Sequence, residues 1–449
     1  MEGSAHDASP HVDTTLTFSS AKETVPLPYV WSYGMGAEST AAIHRMLTHP
    51  DVRPATVARD FANLVIVIAQ TGDEWSTTGE LVEQHMLPLL RKHNVRLVEV
   101  ARNGPTKKDG ITVLQDTRQP RHLHLDGVFK LSDENRATGT LPQLGGVRKC
   151  SQKAKGAPLD MWRANEFGDR QYFHAIGFNR DEYTRIKRDK AYSMGGRRIP
   201  TYPIHEWRWT RQDCIAYLKR ELNVDWEWPK SCCRQCPFAG CNTAGWPEQL
   251  ARFIALPNEA VQHVIDEYAC LALNPRSGLF GPGKSLITRL QRDHATEVIT
   301  LAAQRMRAMP WAVYRVRRYF SAPASAIRSL ERVLVADRLL VQAALEEISD
   351  LVGVKLVKNA EITGAPVRQG DRDTHRRLWL RKRTDGAYPA MEEFYVTAPA
   401  EAVDKALDSF DTTWTDNTDK LLSYMERRTD AAIAVVRQAI SRGANNTAS

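Results

Sequence analysis

Over its first hundred residues this chain alternates short apolar runs with stretches of helical spacing. Tyr29-Val30-Trp31 is a brief apolar strand that runs into a Ser/Gly loop, Ser32 to Thr40. From Thr40 to Leu47 the apolar residues Ala41, Ala42, Ile43, Met46 and Leu47 follow helical spacing. His49-Pro50 stops that helix. Residues 64–69 form a continuous β-branched run, the pattern of a parallel strand covered on both faces. Thr71-Gly72-Asp73-Glu74 breaks it, a helix follows to about Lys92, and residues 95–100 make a third strand. Strand and helix in alternation predict an α/β fold with a doubly wound, mostly parallel sheet.

Further along the pattern weakens. Residues 103–170 read as loop-rich and basic, and 172–178 as another strand. Helices are predicted over 210–218 and 249–273, and a linker over 274–284, rich in Gly and Pro. Beyond residue 310 the texture changes. Residues 327–352 and 400–441 read as helical, with a β-hairpin from 377–383 and 391–396 around Thr384-Asp385-Gly386. The expected organisation is a flexible tail over 1–25, a nucleotide-binding domain with a cysteine cluster over 26–255, a helical connector over 256–309, and an α+β or mostly helical C-terminal domain of unknown role over 310–449.

The loop after the first strand has the chemistry of a phosphate cradle. Gly34 and Gly36 let backbone N–H groups approach phosphate oxygens, Ser32, Ser39 and Thr40 add hydroxyls, and the following helix supplies its positive end. The Walker and dinucleotide glycine patterns are both absent. The bland alternative is an ordinary tight turn.

Seven cysteines change the picture further. Cys232, Cys233, Cys236 and Cys241 crowd into ten residues, while Cys150, Cys214 and Cys270 stand apart. A chain of 449 residues with 42% hydrophobic positions has no need of disulfide staples. The cluster therefore reads as a metal site, iron–sulfur or zinc, against the alternative of buried thiols. Cys214 and Cys270 read as core residues. The net charge of +8 favours an anionic partner such as tRNA or DNA, or equally plain solubility. Arginine interleaved with aromatics at 314–320 and 376–383 suits a nucleic-acid surface or the solvated face of a strand. No apolar stretch has the length of a membrane span and no secretory leader is evident, so a cytoplasmic protein without membrane contact is expected.

Taken in order, the motifs resemble the PP-loop ATP pyrophosphatases and phosphoadenosine phosphosulfate (PAPS) reductases, adenine nucleotide α-hydrolase-like proteins of the HUP type. The Ser32–Thr40 loop is similar to their Ser-x-Gly-x-Asp-Ser loop, two residues longer and with Glu38 for the aspartate. Thr71-Gly72-Asp73-Glu74 resembles their second-strand ending, although Gln70 replaces a frequent aspartate. Arg148-Lys149-Cys150-Ser151-Gln152-Lys153 resembles their Arg-x-Cys-x-x-Lys segment. Gly177 lies in a likeness of Gly-Ile-Arg-x-x-Glu, and Pro203–Asp213 in one of Pro-Ile-x-x-Trp-Thr-x-x-Asp.

The resemblance covers residues 28–255. It implies binding of ATP or a PAPS-like nucleotide by Ser32, Gly34, Gly36, Ser39, Thr40, Gly72, Glu74 and Gly177, with magnesium alongside. It implies Arg148, Lys153 and Arg185 as catalytic cations. It further implies a 4Fe–4S cluster, or zinc, on Cys150, Cys233, Cys236 and Cys241, with Cys232 as the alternative ligand. The activity implied is adenylation of a substrate for sulfur transfer to a nucleic acid, fed by a sulfur donor protein. Reduction of a sulfonucleotide is the second reading, weakened because no cysteine follows Cys270. A nucleic-acid or assembly module that kept the nucleotide fold is the third.

Overall fold

The computed structural model describes residues 26–142, 144, 149–192, 196–241, 245–281, 284–323, 325–358, 375–384 and 386–446. The expected tail over 1–25 lies outside them, as do Arg148 and Asp385.

Two sheets organise the chain. The first has six strands: β1 (Tyr29–Ser32), β2 (Leu64–Gln70), β3 (Arg96–Arg102), β4 (Ile111–Thr117), β5 (Tyr172–Ile176) and β6 (Arg198–Thr201). Their spatial order is β4-β3-β2-β1-β5-β6. All neighbours are parallel except β3 and β4. Every residue of β2 is buried, as its β-branched run demands. Helices Ala37–Thr48 and Arg211–Leu222 cover one face together with the pair Ser76–His85 and Leu87–Lys92. Trp162 and Phe167 of helix Ala157–Phe167 close the other face over Val30, Val67 and Val98. The mixed, mostly parallel α/β architecture is as expected.

The stretch expected to be loop-rich carries more order than its composition suggests. It contains β4, helix Leu131–Thr138 and helix Ala157–Phe167. The helix predicted from residue 210 runs over Arg211–Leu222. Thr210 caps it, its hydroxyl accepting from the Asp213 N–H while Asp213 reaches back to the Thr210 N–H.

The C-terminal region is not mostly helical. A second, antiparallel sheet has the order β8-β7-β11-β10-β9. Its strands are β7 (Trp311–Ala322), β8 (Ser325–Ala336), β9 (Val357–Lys358), β10 (Arg376–Arg381) and β11 (Ala390–Pro399). The predicted hairpin exists as β10 and β11. The helix expected over 327–352 is a strand followed by helix Arg338–Val352. Helices Phe410–Asn417 and Lys420–Asn446 complete the region.

Three arginines of this sheet turn inward. Arg377 is fully buried and donates to the Ala272 and Leu271 carbonyls. Arg318 donates to the Leu273 carbonyl and pairs with Glu392 at 2.9 Å. Together they satisfy the C-terminal carbonyls of helix Pro257–Leu273. Arg315 is held by Glu393 and Glu426. In the Arg–aromatic stretches at 314–320 and 376–383, Arg315, Arg318 and Arg377 are thus held within the protein, while Arg376 and Lys382 are exposed. One core joins the parts: Trp75 meets Phe253 edge to face, and their cluster continues through helices Pro257–Leu273 and Thr296–Ala308 to Trp311 and Val313. Among the described residues no helix is long and apolar enough to cross a membrane.

Candidate nucleotide and cysteine site

The strand order reverses at β1. From there the sheet grows through β2 to one side and through β5 to the other. In open α/β sheets the carboxyl ends on either side of such a reversal splay apart into a binding crevice. β1 ends there at Ser32, paired with Ile176, the last residue of β5. Gly177 follows at once. Its Cα faces the start of helix Ala37–Thr48 so closely that a Cβ would lie 2.4 Å from Ser39 Oγ and 3.2 Å from the Ser39 nitrogen. The sequence thus brings Ser32, Gly36, Ser39 and Gly177 to one crevice, beside the unpaired N–H groups of a helix start.

Ser32 is aimed by a network that the sequence did not reveal. Arg198 donates its Nε–H to His174 Nδ1 at 2.6 Å, and Arg163 Nη1 lies 3.1 Å from Nε2. Nε2 lies 2.7 Å from Ser32 Oγ, and Arg163 Nη1 approaches the same hydroxyl at 3.4 Å. Ser32 Oγ is therefore held from within by His174 and Arg163. A lone histidine in an apolar strand reads as core, and nothing in its spacing points to the serine.

Burial pushes the His174 pKa well below its ordinary value, and the cations Arg163 and Arg198 push it the same way. His174 is neutral when folded but protonates near pH 6.5 when unfolded. Its contribution to stability is whole above that pH. It is lost as the pH falls, by about 1.4 kcal/mol per unit until the folded pKa is reached. Thermal melts of His174→Gln are expected to fall less steeply between neutral and mildly acid pH than those of the unaltered chain. Equal slopes would show that His174 does not titrate in this way.

Not every predicted residue faces the crevice. Thr40 is buried, its hydroxyl turned to the Gly36 carbonyl at 2.8 Å and to Tyr33 at 2.9 Å, so it braces the loop from inside. Glu38 pairs with Arg211 at 2.7 Å, directed at the neighbouring helix. Gln70 is buried and donates to Glu99. Gly34 and Gly36 pack against Ser231, the residue before the cysteine cluster. The phosphate loop and the cysteine segment are therefore in direct contact.

The end of β2 grips the same segment. Glu74 forms an antiparallel bridge with Cys233, and the Arg234 N–H donates to the Asp73 carbonyl at 2.9 Å. Gly72 makes the turn between them with φ near +80°. Glu74 is buried and does not line an open surface. Its Oε1 accepts from Lys155 at 2.8 Å, with Cys233 Sγ 3.9 Å away, while its Oε2 has no partner among the described residues. Lys155 was missed because the predicted cation was Lys153, two residues earlier. A π-helical turn over Gln152–Gly156 turns Lys155 inward and leaves Lys153 paired with Glu134 at the surface. Burial opposes the Lys155 charge, but Glu74 and the nearby thiols outweigh it and hold its pKa above the usual lysine range.

Burial raises the thiol pKa of Cys233 and Cys236 and pushes that of Cys232 up to about 12. Cys233 and Cys236 share a turn, the Cys236 N–H donating to the Cys233 carbonyl at 2.9 Å, and Cys150 lies near enough to raise the Cys236 thiol further. Cys232 rests between Gln249 and Arg252. Cys241 is exposed, its thiol against the Phe238 carbonyl. Cys214 and Cys270 are buried in the core, as expected. Among the described residues no three Cys, His, Asp or Glu side chains are already arranged around a common metal position. Burial opposes thiolates at Cys233 and Cys236 while Lys155 favours them, and the predicted ligands Cys150, Cys233, Cys236 and Cys241 are not gathered round one position.

Of the predicted catalytic cations, Arg148 lies outside the described residues. Lys153 lies on a cleft of about 880 Å³ between the 103–111 turn and the start of helix Ala157–Phe167. Arg185 is exposed, paired with Glu182 and stacked over Phe178 at 4.4 Å. No family model, curated protein or solved structure matches this chain.

Proposed function

We propose that this chain is a PP-loop ATP pyrophosphatase-type enzyme of the HUP class that adenylates a substrate for sulfur transfer to a nucleic acid. One observation carries the reading. At the reversal point of a parallel sheet, Ser32, Ser39 and Gly177 enclose a helix start whose loop touches a cysteine segment through Ser231. That crevice suits a polyphosphate: helix N–H groups and the Ser32 hydroxyl meet its oxygens. Gly72, just after the end of β2, would line the nucleoside side. Magnesium would join the phosphates from solution.

In the proposed reaction an oxygen of the acceptor attacks the α-phosphorus of ATP. The bond to the β-phosphate breaks and pyrophosphate leaves, giving an adenylated acceptor. A sulfur nucleophile from a donor protein then displaces AMP. The chain's own part is to bind and orient the nucleotide and to offset charge that grows on the leaving group. Cys150, Cys233 and Cys236, with Cys241 or Cys232, would hold a 4Fe–4S cluster or zinc, which when bound supplies a thiophilic centre for the sulfur. Lys155 offsets thiolate charge beside it.

Calorimetric titration with ATP and measurement of pyrophosphate release test this reading. Ser32→Ala is expected to weaken ATP binding about tenfold, the worth of one hydrogen bond to a charged oxygen. Folded protein that binds no adenine nucleotide and releases no pyrophosphate would sink the proposal.

A further inference from the structure

We propose that helix Tyr183–Ala191 and the cleft beside it form a docking surface for single-stranded nucleic acid. Of the nine residues in this helix only Ile186 is buried. Arg185, Lys187, Arg188 and Lys190 are exposed along it. Lys187, Arg188 and Lys190 have no acidic partner among the described residues, whereas an ordinary solvated helix closes such charges with acids three or four residues away. The acids that do lie nearby are engaged. Glu182 holds Arg185, Asp189 is taken by Arg198 and Tyr202, Asp160 by Arg163 and Tyr192, and Asp181 faces Arg180.

Two tyrosines bracket the basic run. Tyr183 is 65% exposed and Tyr192 59%. Tyr192 also lines the cleft of about 880 Å³ into which Lys107 and Lys153 project from the other side. Cations that meet phosphates, alternating with flat rings open for stacking, make a track for unpaired bases. A duplex would hide those bases and leave the rings idle. Only the turn Arg180–Glu182 lies in sequence between Gly177–Asn179 and this helix. This deepens the proposed function, and rests on it only for the strand's role as acceptor.

Fluorescence anisotropy with labelled oligothymidylate and oligouridylate, without ATP, tests the surface. Neutralising two cations in Lys187→Gln/Arg188→Gln is expected to weaken binding about tenfold. It should also flatten the plot of log affinity against log salt by about 1.4, since each lost phosphate contact removes about 0.7. Tyr192→Ala is expected to weaken the oligonucleotides about fivefold or more, yet leave an abasic chain of the same length unaffected. Binding of either oligonucleotide with both effects sustains the proposal. It is overturned if the unaltered protein binds neither, if both variants bind as it does, or if heparin or a duplex binds equally well and Tyr192→Ala is silent. Both variants keep Ile186 and every residue of the phosphate loop, so their melting temperature and ATP affinity should not change. Oligonucleotide binding by protein that does not bind ATP would remove the nucleotide reading and leave this surface standing. The opposite result would do the reverse.

Discussion

Lys155→Ala is expected to cost the fold about 3 kcal/mol in denaturant unfolding, among the larger single-residue losses in this protein. The reason is the carboxylate it leaves behind. Glu74 is wholly buried, one of its oxygens already lacks a partner, and Lys155 is the only cation paired with it among the described residues. Removing that cation strands a charge between the end of β2 and the cysteine segment. The lower end of the usual range for a broken buried pair applies because the Lys155 side chain is still 27% exposed. Adding Glu74→Gln should restore most of the loss, since an uncharged amide tolerates the site far better than a lone carboxylate. If Lys155→Ala is as stable as the unaltered chain, or if the second change makes matters worse, the pair does not hold the two segments together. Metal content, measured on protein purified without oxygen, should fall in the single variant as well, because the Cys233 thiol loses the cation that favours its thiolate.

How far the fold could be read in advance depends on what each segment buries. β2 was legible because a strand covered on both faces is apolar throughout, as the 64–69 run is, whereas β1 and β3 showed shorter apolar runs, β3 with Glu99 buried in its midst. The loop between β1 and helix Ala37–Thr48 was legible because its glycines and hydroxyls mark a strand–helix junction. β8 was misread as helix for a specific cause. Its buried residues Leu330 and Val333 are three apart, a helical interval. The pairing with β7 shifts register between Val313 and Tyr314, so an extra residue enters β8 and breaks its period of two. The inward arginines were illegible for another reason. Nothing local shows that Arg377 and Arg318 end at the carbonyls of a helix some fifty to a hundred residues away in sequence. Within the site, backbone-driven features such as Gly36 and Gly177 were predictable. The His174 network and the inward turn of Lys155 arise from tertiary packing alone.

Gly177→Val is expected to reduce ATP affinity about a hundredfold while leaving most of the fold intact. Gly177 has ordinary backbone angles, so the cost is one of space. Even a methyl carbon would meet Ser39 Oγ at 2.4 Å, and behind it the Ser39 nitrogen at 3.2 Å and Cα at 3.3 Å. The hydroxyl can rotate away, but the nitrogen belongs to the first turn of helix Ala37–Thr48 and moves only with it. Displacing that turn takes its N–H groups off the phosphate position, and each charge-assisted hydrogen bond lost is worth about tenfold or more. The strand itself should survive, since β5 ends before this residue and its pairing with β1 is complete at Ile176. A graded series makes the argument testable by calorimetry. Gly177→Ala should fall between glycine and valine, and Gly177→Ala with Ser39→Ala should bind no more weakly than Ser39→Ala alone, because the nearest obstacle is gone. An unaltered ATP affinity in Gly177→Val would mean that the nucleotide does not bind at the reversal point between β1 and β5. A double variant that binds more weakly than Ser39→Ala alone would mean that the obstacle is the helix backbone and not the serine hydroxyl.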